Sequence, residues 1–163
     1  MANSEAAPAS TPARIIVGPV STQAGLQYWY LACFPDYVIA VQQSMAALFV
    51  LGMSHAGRDS VTPISYLAQR FLQPRTQSYR RRIENTLRTA PRERLMRKPN
   101  VVYPATQLKA IVHARKNGEP LFLSDLIFET TNGDRQRYGI VSADFERIYP
   151  QLEEMYPSKV SSI

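Results

Sequence analysis

The sequence has little of the residues that build the commonest chemical sites. Its 163 residues include one cysteine, Cys33, and two histidines, His55 and His113. A single cysteine excludes an internal disulfide and fits a reducing compartment without proving one. Zinc sites use three or four protein ligands, mostly Cys and His. The three residues here have no ligand-type spacing, so we predict no metal site and no cofactor.

Glycine is also scarce, with seven residues spread singly along the chain. Neither GxGxxG nor GxxxxGK[ST] is present, which excludes phosphate binding by those glycine-rich loops. Cys33 lies in an aromatic, apolar run, where a thiol acts as a small apolar group. His113 lies in a predicted strand and is interpreted as solvent-facing or as a hydrogen-bonded structural histidine. None of these residues predicts a catalytic group.

One alternative interpretation is that the protein is an enzyme. His55 lies in a predicted loop beside Ser54, with Asp59 nearby. Ser, His and Asp can form a nucleophilic triad, but adjacent Ser and His side chains do not usually adopt its geometry. We therefore predict a protein without enzymatic activity, and an unrecognised site near His55 remains the alternative.

Long apolar runs are absent too. The most apolar stretch, residues 37–53, has 17 residues and is interrupted by Gln42, Gln43 and Ser44. A membrane span needs about 20 mostly apolar residues, and these polar groups would be costly in hydrocarbon. Residues 37–43 therefore predict a buried strand. In residues 44–53, Met, Ala and Leu favour a helix, whereas Phe49 and Val50 would suit a strand equally well.

The opening residues 1–12 are small, polar and proline-containing, and they lack the apolar region of a secretory signal. They predict a disordered tail. The length predicts a single domain over residues 13–163. We expect a cytoplasmic protein, with peripheral attachment to a membrane left open.

The remaining pattern predicts a mixed α+β fold. Short β-type runs cover residues 14–20, 26–34 and 37–43. Thr62-Pro63 marks a helix start, and a second helix over 76–89 ends before Pro91. Its apolar stripe, with members four residues apart, is Tyr79, Ile83 and Leu87.

After residue 105 the apolar residues roughly alternate with polar ones, which is the period of strands. Runs at 107–116, 120–131 and 134–141 are separated by Asn117-Gly118 and Asn132-Gly133. Asn-Gly favours the type I′ hairpin turn, in which both central residues need positive φ. The pattern predicts a three-stranded antiparallel meander. Ser142 is then predicted to cap a final helix whose apolar face is Phe145, Ile148, Leu152 and Met155.

The segment with the strongest charge is "TQSYRRRIENTLRTAPRERLMRKP", residues 76–99, which we call the basic segment. It holds eight Arg or Lys and two Glu, a local charge of +6, which is also the net charge of the whole chain. Arg dominates, and its planar fork suits carboxylates and phosphates. The predicted binding residues are Arg80, Arg81, Arg82, Arg88, Arg92, Arg94, Arg97 and Lys98.

Three partners would accept this charge: an acidic protein, an anionic membrane surface and nucleic acid. Nucleic acid is less favoured, because recognition of single strands uses aromatics among the cations. Tyr79 is the only aromatic in the basic segment and belongs to the apolar stripe. The plainer alternative is a solvated helix face with a Glu84–Arg88 pair. Exposed strand edges or a Tyr-rich surface could support a homodimer, which no feature specifies.

The residues "LKAIVHARKNGEPLFLSDLIFETTNGDRQRYGIVSADFERIYPQLEEMY", 108–156, resemble the end of a pleckstrin-homology-like (PH-like) domain of the compact bacterial or GRAM-related kind. There, a meander and one amphipathic helix close a half-barrel. "YWYLACFPDYVIAV", 28–41, is similar to the early hairpin strands of such domains. The resemblance is one of pattern, without a diagnostic motif.

The resemblance implies an α+β fold of antiparallel strands forming a PH-like half-barrel, with a helical insertion and a C-terminal helix. The basic insertion would cover about 62–98. The resemblance also implies a non-enzymatic binding or adaptor role, sometimes at phosphoinositide or membrane surfaces. No position matches a family signature, so no lipid-binding residue is carried over.

Overall fold

The computed structural model describes residues 14–22, 28–43, 77–115 and 124–163. Several predictions from the sequence lie outside these residues: the disordered tail over 1–12, the ambiguous segment 44–53, the helix starting at Thr62-Pro63 and the Asn117-Gly118 turn. His55 lies outside them as well.

The described residues form eight strands and three helices, so the fold is mixed α+β. In chain order they are β1 (Ile15–Thr22), β2 (Tyr28–Cys33), β3 (Tyr37–Gln42), α1 (77–89), α2 (Arg92–Leu95), β4 (Val101–Pro104), β5 (Leu108–Arg115), β6 (Ser124–Thr130), β7 (Arg135–Ile140), α3 (Ser142–Met155) and β8 (Val160–Ser162).

All eight strands belong to one sheet with the order β4-β3-β2-β1-β7-β6-β5-β8. Every neighbouring pair is antiparallel except β5 and β8, which are parallel. The sheet therefore consists of two meanders, β1 to β4 and β5 to β7, joined where β1 pairs with β7. The predicted three-stranded meander is confirmed. The two edge strands, β4 and β8, were not predicted.

β1 is longer than its sequence indicated. The sequence predicted a run over residues 14–20, but β1 continues past Gly18 and Pro19 to Thr22, and its register with β2 shifts between Val17 and Val20. This bulge accommodates the two residues within the sheet. Gly18 has φ 145°, and a Cβ there would lie 2.8 Å from Cδ1 of Tyr30. The position therefore needs glycine.

Two local predictions were wrong in detail. In the β6–β7 hairpin only Gly133 has a positive φ, 92°, and its N–H donates to the Thr130 carbonyl at 3.0 Å. Because the Thr130 N–H donates to the Asp134 carbonyl at 2.9 Å, the connection is a three-residue loop, 131–133, that ends in glycine rather than a type I′ turn. The N-cap of α3 is Val141, without a side-chain hydrogen bond, and Ser142 is the first helical residue.

The sheet is covered on both faces over its first three strands. On one face the buried side chains of α3, Phe145, Ile148 and Leu152, pack with residues of both meanders. On the other face α1 and α2 contribute Leu87 and Leu95 to a second core. Strands buried on two faces lack polar alternation, and this explains the nearly continuous apolar run in β2.

Candidate functional site

The basic segment folds against the domain by the apolar stripe of α1. Leu87 is buried, and Tyr79 and Ile83 are partly buried against the second core. The apolar stripe recognised in the sequence is thus the face of α1 that packs against the sheet. Because residues four apart share a helix face, packing of the stripe determines which cations of α1 point outward and which lie at its flanks.

Arg14 holds the C-terminal end of α1. Its Nη1 donates to the carbonyl oxygens of Leu87 at 2.5 Å, Arg88 at 2.8 Å and Ala90 at 3.0 Å. The last carbonyls of a helix lack partners within it and favour a cation. The guanidinium also lies 4.6 Å from the Phe34 ring centroid. Burial and the nearby Arg92 charge lower the pKa of Arg14.

Replacing Arg14 with Ala is expected to lower the free energy of unfolding by about 2 kcal/mol, because charged hydrogen bonds to carbonyls are lost. Urea unfolding followed by circular dichroism measures the change. The control is Arg81→Ala, since Arg81 is an exposed residue of α1. Equal stability of the two variants would contradict a capping role for Arg14.

Two of the eight predicted binding residues are paired within the molecule. Arg80 Nη2 lies 2.9 Å from Asp144 Oδ2 and donates to the Gly18 carbonyl at 3.0 Å. Burial acts to lower the pKa of Arg80, but the Asp144 carboxylate outweighs it and the pKa is raised. Arg92 lies 3.4 Å from Asp36. These two pairs attach the basic segment to α3 and to the β2–β3 turn.

The other six are exposed and have no carboxylate partner within the described part of the chain. We call them the unpaired cations: Arg81, Arg82, Arg88, Arg94, Arg97 and Lys98. The expected Glu84–Arg88 ion pair is not formed. Counting Glu84, Glu93 and the two engaged aspartates against the eight cations leaves a local surplus of four positive charges.

The unpaired cations fall into three positions. On a helix, Arg81 and Arg88 lie opposite the stripe and point away from the sheet. Arg82 and Arg94 line a groove beside α1. Arg97 and Lys98 lie in the turn between α2 and β4, next to Met96, whose side chain is 45% exposed. The unpaired cations are therefore spread over α1, α2 and the turn that follows α2.

The groove has a volume of about 420 Å³ and lies between α1, α2 and the end of β3. Asn100 fixes one end of it. Its Oδ1 accepts from the Gln42 backbone N–H at 3.0 Å, and its Nδ2 donates to the Leu95 carbonyl at 2.8 Å. The apolar part of the lining is Val41, Tyr79, Ile83, Leu87, Ala90 and Leu95.

A polar cluster surrounds His113 in the core between α3 and the sheet, which we call the first core. Its Nε2 is 2.6 Å from Ser124 Oγ, and its Nδ1 is 3.1 Å from Ser162 Oγ. The ring stacks on Phe145 with 4.0 Å between centroids. His113 and Ser124 are each only 1% exposed, so this serine–histidine pair is closed to a substrate. Of the two readings of His113, the hydrogen-bonded structural one is confirmed.

Cys33 is equally inaccessible. It is 1% exposed, and burial raises the pKa of its thiol to about 12. A thiolate is therefore disfavoured, which agrees with its interpretation as a small apolar group.

In the described residues, no group of three or more Cys, His, Asp and Glu side chains is placed to hold a metal ion. Nor does a helix in these same ranges combine the length and apolarity needed to cross a bilayer. The chain matched no model of a known protein family and no curated protein sequence.

Proposed function

We propose that this chain is a non-catalytic binding domain with a PH-like core, and that its basic segment contacts an anionic partner. The partner is an acidic protein or the anionic surface of a membrane, which fits a cytoplasmic protein or one attached peripherally. The observation that carries the proposal is the set of six unpaired cations, which α1, α2 and the turn after α2 display to solvent.

The strand arrangement supports the PH-like part of the proposal. Two antiparallel meanders join through β1 and β7, and one amphipathic helix, α3, packs across them. The basic segment lies between β3 and β4 in the chain, in the place of a helical insertion. Such a core offers a framework on which loops and insertions carry the binding residues.

The charge distribution supports the binding part. Four of the eight cations would remain in surplus even if Glu84, Glu93, Asp36 and Asp144 each neutralised one of them. Interactions between exposed charges extend over roughly 8 Å at physiological ionic strength. An anionic surface that approaches the insertion would therefore meet several of these charges together.

Nucleic acid remains an alternative partner, less favoured for a specific reason. Tyr79, the aromatic residue of the basic segment, packs against the second core. It is therefore poorly placed to stack on a base, and contact would depend on phosphates alone, with a steep loss of affinity as salt rises.

The test measures binding at low and high salt to vesicles containing phosphatidylserine, to polyglutamate and to a single-stranded oligonucleotide. A triple variant, Arg81→Gln, Arg88→Gln and Arg97→Gln, removes three unpaired cations. Its control removes three exposed cations of the second meander that already pair with carboxylates: Lys109→Gln, Arg135→Gln and Arg137→Gln.

We expect the first variant to lose at least about tenfold in affinity, because each cation near an anionic surface contributes about 1 kcal/mol. The control should lose less than about threefold. Preference for the oligonucleotide would replace the proposed partner with nucleic acid. Absence of binding to all three probes at low salt would reject the proposal.

A further inference from the structure

We infer that the groove beside α1 takes a short acidic segment of a partner protein, with an apolar side chain on its floor and carboxylates against Arg82 and Arg94. This inference rests on the proposed function and specifies the partner as a protein. It follows from the combination of an apolar floor, two unpaired guanidinium groups and two amide side chains that are already hydrogen-bonded.

The floor suits an apolar side chain. Val41 and Ile83 line the groove together with Leu87, and the last of these is buried in the second core. A volume of about 420 Å³ falls within the usual size range of ligand pockets. Moving an apolar side chain from water onto this floor would be favourable in proportion to the apolar area covered.

The charged groups at the edge of the groove favour an occupant with acidic side chains. Arg82 projects from α1 and Arg94 from α2, and neither has a carboxylate partner in the described residues. Guanidinium groups pair with carboxylates through two parallel hydrogen bonds. An occupant with acidic side chains on both sides of an apolar one would satisfy both arginines.

Two of the three amide side chains that line the groove, Asn100 and Gln43, already make hydrogen bonds within the molecule. Both ends of the Asn100 side chain are used within the molecule, and Gln43 Nε2 donates to the Val41 carbonyl at 3.2 Å. The complement of the groove is therefore acidic and apolar rather than generally polar. A flat bilayer surface would leave this floor uncovered, which favours a peptide segment over a lipid surface.

The chain offers a matched pair of variants. Arg82→Gln with Arg94→Gln removes two charges at the groove. Arg81→Gln with Arg88→Gln removes two charges from the outward side of α1. Both change the net charge by the same amount, so long-range attraction falls equally. A third variant, Thr86→Trp, fills the groove without changing charge, because Thr86 lines it and is exposed.

The probe is a displayed library of random peptides of about 12 residues, selected on the full chain and counter-selected on the groove double variant. We expect enriched peptides with a large apolar residue flanked by Asp or Glu. Their affinity should fall at least about tenfold on the groove double variant and on Thr86→Trp, and less than about threefold on the outward double variant, as expected for a local contact.

Two results would overturn the groove as the site. One is a selection that enriches no peptide over the groove double variant. The other is a set of acidic peptides that both double variants weaken equally. Either result leaves the proposed function standing if the vesicles or polyglutamate still bind the unpaired cations. Loss of those interactions as well would reject both.

Discussion

Phe145→Ala is expected to lower the free energy of unfolding by about 3–5 kcal/mol, the usual cost of removing a buried phenyl ring. Phe145 is 1% exposed, stacks on His113 and makes an edge contact with Tyr149. It lies where α3 packs on the sheet, so the cavity would form in the middle of the first core. Chemical unfolding of the purified protein measures the change.

The control for Phe145→Ala is Glu153→Ala, an exposed substitution on the same helix. Surface changes of this kind usually stay within about 0.5 kcal/mol. A loss below about 1 kcal/mol for Phe145→Ala would mean that α3 is not seated on the sheet as described here, because a buried ring cannot be removed at so low a cost.

Raising the pH from about 8 to about 11 is expected to destabilise the fold by roughly 7 kcal/mol. Burial raises the pKa of the Cys33 thiol to about 12. Burial likewise raises the pKa of Tyr30, Tyr138 and Tyr156 far above the usual tyrosine range. These four groups keep their protons in the folded protein under conditions in which an unfolded chain would lose them.

The sign follows from proton binding. An unfolded cysteine ionises near pH 8.5 and an unfolded tyrosine near pH 10, so above these values unfolding releases protons. The contribution of each group is therefore constant at lower pH and becomes unfavourable to the fold as pH rises, by about 1.4 kcal/mol per unit. Alkaline unfolding followed by circular dichroism and tyrosinate absorbance should show both changes together.

A double variant tests the assignment of this alkaline sensitivity. Tyr30 is fully buried in the second core, so Tyr30→Phe preserves its packing and removes a titrating group. Combined with Cys33→Ala, it should raise the alkaline midpoint by about half a pH unit or more. An unchanged midpoint would show that other groups control the transition.

Local patterns in the sequence predicted several elements well. The stripe Tyr79–Ile83–Leu87 identified both the helix and the face that packs. Asn132-Gly133 marked the hairpin, although its turn type depends on backbone angles that the residue pair does not determine. The apolar face of α3 was also recognised, because its period matches a helix.

The short edge strands could not be recognised in the same way. β4 has four residues and ends in Pro104, and β8 has three residues. Neither is long enough to establish a period of two residues. Their pairing depends on a preformed neighbour, β3 for β4 and β5 for β8.

The candidate site was predicted only in outline. Charge counting located the basic segment, but it could not separate the six unpaired cations from Arg80 and Arg92. Asp144 is 64 residues from Arg80 in the chain, and Arg14 is 73 residues from Leu87. Contacts over such separations leave no periodic signal in a single sequence, so both were found only in the folded structure.

Because α1 and α2 cover the second face of β1, β2 and β3, the basic segment is not a portable linear motif. Deleting it would expose an apolar surface of the sheet that includes Ile16, Tyr30 and Ile39. Exposed apolar surface of this kind favours aggregation. A free peptide with this sequence would lack its packing against the strands. An isolated helix of this length is only marginally stable in water. The display of the unpaired cations therefore depends on the same packing that covers the apolar face of these strands.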